Sequence, residues 1–80
     1  MAAATNIVFT ELIKINGRLR EFNFRKRSDT LYDVDVADER GTRYFFQLIK
    51  GGEGWMIQGK EIPEWILRAE VELRRIVGQG

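Results

Sequence analysis

The chain has 80 residues and nearly balanced charge, with 13 Lys and Arg against 12 Asp and Glu. It contains no Cys and no His, which excludes disulfides, thiolate metal sites and imidazole ligands or bases. With 44% hydrophobic and 31% charged residues, it has the make-up of one folded domain over residues 1–80.

A chain of this length buries only about 60–65% of its extended surface. Its core must therefore come from aliphatic and aromatic packing, or from a second subunit. No apolar run reaches the roughly 18 residues that span a membrane. The opening residues Met1 to Asn6 lack the basic and long apolar regions of a signal peptide. A cytoplasmic protein is the expectation.

The first elements are two alternating runs, 7–15 (IVFTELIKI) and 18–26 (RLREFNFRK), around Asn16-Gly17. That dipeptide predicts a β-hairpin, because both central residues of a type I′ turn need positive φ. A two-residue loop sets Ile15 opposite Arg18 and Phe9 opposite Phe24. One face then holds Ile7, Phe9, Ile13, Ile15, Phe22 and Phe24, the core candidates. The other holds Val8, Thr10, Leu12, Lys14, Leu19, Glu21, Asn23 and Arg25. Residues 30–37 (TLYDVDVA) alternate Tyr32, Val34 and Val36 inward with Leu31, Asp33 and Asp35 outward.

After the polar turn Asp38-Glu39-Arg40-Gly41, residues 42–50 (TRYFFQLIK) are apolar on both faces. Such a strand is central, or one of its faces meets another subunit. A glycine-rich break, Gly51-Gly52-Glu53-Gly54, leads into a short fifth strand at 54–58. One helix over 63–77 closes the chain. Pro63 suits its first turn, and Ile62, Ile66, Ala69, Leu73, Ile76 and Val77 form a stripe at helical spacing, widened by Trp65. Leu67 and Val71 lie off that stripe. The fold class is α+β: an antiparallel, curved sheet of four or five strands with one C-terminal helix on one face.

Charge is segregated along the chain. Residues 1–27 carry Lys14, Arg18, Arg20, Arg25, Lys26 and Arg27 against Glu11 and Glu21, whereas residues 28–41 carry five carboxylates against Arg40. A basic hairpin is thus followed by an acidic strand. Such asymmetry steers charged partners or is neutralised across the sheet.

Catalytic chemistry has little to work with. The only serine, Ser28, sits in a turn with no histidine to activate it. Asp33 and Asp35 share a strand face about 7 Å apart, a sparse arrangement for acid–base work or a hard cation. The glycine-rich stretch at 51–54 lacks the Lys and Ser/Thr of a phosphate-binding loop. No enzyme activity and no cofactor are expected.

Binding has more. Residues 18–27 interleave arginines with phenylalanines on one strand, and single-stranded nucleic-acid binders combine cationic grooves with aromatic platforms. The phosphate candidates are Lys14, Arg18, Arg20, Arg25, Lys26 and Arg27. The stacking candidates are Phe45 and Trp55. The alternative is a homodimeric protein-interaction or structural module that buries Phe45, Ile49, Leu67 and Val71.

Over residues 7–77 the order of hairpin, hairpin and helix resembles the Pur-alpha repeat and, more loosely, the Whirly-type single-strand binders. Arg20-Glu21-Phe22-Asn23-Phe24-Arg25-Lys26 looks like that repeat's second strand. Tyr32-Asp33-Val34-Asp35-Val36 takes the place of the third, and Glu64-Trp65-Ile66-Leu67 stands where its helix begins. The resemblance implies paired repeats or subunits with nucleic acid on the sheet. The acidic third strand departs from it.

Overall fold

The computed structural model describes residues 8–78. Five strands form one sheet in sequence order: β1 (Val8–Ile15), β2 (Arg18–Ser28), β3 (Leu31–Ala37), β4 (Arg43–Gly51) and β5 (Gly54–Gln58). All neighbours are antiparallel, so the sheet is a simple meander. Two helices follow, α1 (Glu64–Leu67) and α2 (Glu70–Gly78). No helix among the described residues is long and apolar enough to cross a membrane.

The Asn16-Gly17 turn is the one the residues predict. Asn16 has φ 53° and Gly17 has φ 81°, and the register sets Ile15 against Arg18 and Phe9 against Phe24. Strand alternation then carries one apolar set to a single face. Ile13, Ile15, Phe22, Phe24, Tyr32, Val34, Val36, Phe46 and Leu48 are all buried there. Ile7, placed with this set by the alternation, lies outside the described residues. Phe9, Phe24, Tyr32 and Trp55 form a row of aromatic contacts from β1 to β5, beginning with stacked rings 4.8 Å apart. The helices supply the lid through Ile66, Ala69, Leu73 and Val77, all buried.

The structure differs from the sequence reading in two elements. The helix is broken into two: Ala69 N–H donates to the carbonyl of Ile66, three residues back, and the regular ladder resumes with Leu73 N–H on the Ala69 carbonyl. This tighter step keeps Ile66 and Ala69 both on the sheet. β2 is also two residues longer than expected, with the register shifting between Lys26 and Ser28. Arg27 is the extra residue of that bulge.

The two sheet edges are unlike. β5 is short, and the Arg74 guanidinium of α2 donates to the Trp55 carbonyl at 2.7 Å. β1 is eight residues long and turns Glu11, an exposed carboxylate, toward the helix side between Phe9 and Ile13. A charge on the otherwise apolar side of an edge discourages further strand pairing.

Candidate binding surface

The helices lie on one face of the sheet, and no other described element covers the opposite, open face. Its geometry follows from period-two alternation and the observed register. One row across the strands is Thr10, Asn23, Asp35 and Phe45. The next is Val8, Arg25, Asp33, Gln47 and Gln58. These rows floor a groove of about 690 Å³, closed on one side by Gly59 and Lys60 where the chain leaves β5. That size is ordinary for a ligand site.

Phe45 is the most exposed of the large apolar residues described on this surface, which also leaves Val8, Leu12, Leu19 and Met56 in water. It is 70% exposed although β4 has a strand on each side. A large ring left in water at the middle of a sheet is the kind of exposed apolar feature that marks a contact site.

The charges around it are largely paired. Asp33 accepts from the Arg27 guanidinium and from the Gln47 amide at 3.0 Å. Asp35 accepts from Arg43 and from the Asn23 amide at 3.1 Å, and Asn23 in turn accepts from the Thr10 hydroxyl at 2.8 Å. The Gln47 hydrogen bond, then that of Arg27, holds the Asp33 carboxyl below the usual aspartate range against the opposing effect of burial. Asp33 and Asp35 are thus each met by two donors. Arg25 and Lys60, by contrast, line the groove and make no ion pair with another described residue.

The proposed phosphate contacts do not form one track, because alternation sends β2 side chains to opposite faces. Arg18 and Arg20 lie on the helix side and share Glu39 at 3.4 and 3.3 Å. The Arg20 guanidinium also covers the Trp65 ring at 5.7 Å. Lys26 is on the helix side too, 3.7 Å from Asp29. Only Arg25 and Arg27 enter the groove. Lys14 is exposed on the open face at its far corner, opposite Leu19.

Trp55 is a correction as a stacking platform. It is 8% exposed, on the helix side, with its ring 5.4 Å from Tyr32. Its pairing with Lys50 gives it the same parity as Leu48 and Tyr32, and burial of a large ring favours that side. The proposed interface residues also divide. Phe45 and half-buried Ile49 are on the open face, whereas Leu67 and Val71 are exposed on the helices. Sequence reading missed Lys60, whose position depends on the path after β5. It also missed Arg43, whose partner Asp35 is eight residues away across a turn.

No family model, no curated protein and no solved structure matches this chain.

Proposed function

We propose that the protein is a small non-enzymatic binding module that engages single-stranded nucleic acid on the open face of its sheet. A base stacks on Phe45, and phosphates meet Arg25 on one side and Lys60 on the other. The observation that carries this reading is Phe45, 70% exposed in a groove where, among the described residues, the two charges outside any salt bridge are both cationic. The ligand path differs from the basic hairpin expected from sequence. Two cations replace six, one of them the unforeseen Lys60, and of the two expected platforms Phe45 is the one on this face.

The number of cations decides the test. For single strands, the logarithm of affinity falls with that of salt at about −0.7 per phosphate contact. Six contacts would give a slope near −4, and two give about −1.4. Titration of a labelled oligothymidylate at several salt concentrations should show weak binding with the shallow slope, lost on Phe45→Ala. No binding at low salt ends the reading.

A homodimeric protein-interaction module is the second reading. Val8, Leu12 and Leu19 support it, lying 57%, 61% and 63% exposed on the open face of the β1–β2 hairpin. Sedimentation distinguishes the two. A dimer that dissociates on Leu12→Lys supports the second reading, and a monomer at high concentration removes it.

A further inference from the structure

The acidic side chains of β3 sit where a polyanion would otherwise be gripped. Asp33 holds Arg27 and Asp35 holds Arg43, and each of these four side chains is between 27% and 48% exposed. Asp33, Asp35, Arg27, Arg25, Lys60 and Phe45 all line the groove, and Arg43 reaches it through Asp35. The carboxylates therefore occupy guanidinium donors that would otherwise suit phosphate, in the geometry that charge-assisted pairs favour.

We propose that Asp33 and Asp35 are specificity-determining residues that hold Arg27 and Arg43 away from the ligand. The groove then accepts a sparse anion bearing a flat ring and rejects a dense polyanion lacking one. This rests on the open-face reading of the preceding subsection. A phosphate that displaced Asp33 from Arg27 would leave that partly buried carboxylate with Gln47 as its remaining donor, a loss the ligand cannot repair. A ring on Phe45 with charges at Arg25 and Lys60 disturbs neither pair.

The experiment compares wild type with Asp33→Asn, Asp35→Asn and the double variant. Two probes are used: an oligothymidylate and inorganic polyphosphate, which has no bases. Asn keeps the size and an acceptor oxygen, and thermal melting verifies that each variant folds. The wild type should prefer the oligonucleotide. In the double variant polyphosphate should bind at least about tenfold tighter, and the oligonucleotide salt slope should steepen from about −1.4 to about −2.8, as four cations engage.

Adding Arg27→Gln separates release of an arginine from a general loss of negative charge. In the Asp33→Asn background it should undo the gain, and a gain that persists there traces to lost negative charge alone and overturns the proposal. If the double variant does not fold, Asp35→Asn with and without Arg43→Gln gives the same comparison. Unchanged affinity and slope in the Asn variants, with wild-type binding still lost on Phe45→Ala, overturn the proposal and leave the open-face reading standing. Absence of oligonucleotide binding in every variant at low salt overturns both.

Discussion

Phe45 and Asp38 show how single side chains act in this fold. Truncating an exposed ring removes little packing, so Phe45→Ala should change the melting temperature by only a degree or two. Loss of base stacking, worth about 1–3 kcal/mol per base, should weaken oligonucleotide binding by roughly five- to 150-fold. Equal losses of stability and affinity would instead make Phe45 a structural residue.

Asp38 organises the turn between β3 and β4. Its Oδ1 accepts from the N–H groups of Arg40 and Thr42, each at 2.9 Å, and its Oδ2 accepts from the Tyr44 hydroxyl at 3.2 Å. Desolvation pushes the carboxyl upward, but the Thr42, Arg40 and Tyr44 hydrogen bonds outweigh it and hold the pKa below the usual aspartate range. The same contact raises the Tyr44 hydroxyl above its ordinary value. A depressed carboxyl stabilises the fold above its unfolded pKa and loses that contribution as pH falls through the folded one. Melting temperature should therefore drop between about pH 4 and pH 2, with Asp33 contributing in the same direction. Asp38→Asn should be less stable than wild type at pH 7, and the gap should narrow toward pH 2. A constant gap across that range removes Asp38 from the acid transition.

At the scale of elements, the first hairpin and the helices each contribute to stability through a different physical term. A Cβ on Gly17 would meet nothing within 4 Å, so any cost of Gly17→Ala comes from the left-handed backbone at φ 81°. About 1–2 kcal/mol of destabilisation is expected, read by urea unfolding. Gly59 differs: a Cβ there would come within 3.2 Å of Phe46 Cβ and Ile62 Cδ1. This close approach places Lys60 along the groove, so Gly59→Val should lower ligand affinity as well as stability. In α2, Leu73 is fully buried, and Leu73→Ala should cost about 2–5 kcal/mol. Single domains have only about 5–15 kcal/mol in total, so much of this small fold's stability rests on that contact. The apolar stripe was legible because 3.6-residue spacing survives in sequence. The break at Ala69 was not, since one three-residue step leaves the spacing of Ile66, Ala69 and Leu73 consistent with a continuous helix.

At the scale of the whole molecule, the near-zero net charge conceals two differently neutralised faces. Arg18, Arg20 and Lys26 are paired on the helix side, and Arg27 and Arg43 on the open side. The strands, the inward and outward residues of the first four and the register of the first hairpin were readable from the residues alone, because pleat alternation and turn geometry are local properties with fixed periods. That includes the placement of Asp33 and Asp35 on an outward face. The run of residues did not reveal which charges meet. Cross-strand distance depends on the order and register of all five strands, and residues as far apart as Asn23 and Asp35 become neighbours only when the sheet closes. The same holds for Trp55 entering the core and Lys60 reaching the groove that Phe45 lines. Trp55 follows from the pairing of the fifth strand with the fourth, and Lys60 from how the chain leaves the fifth strand to lay its helices across one face.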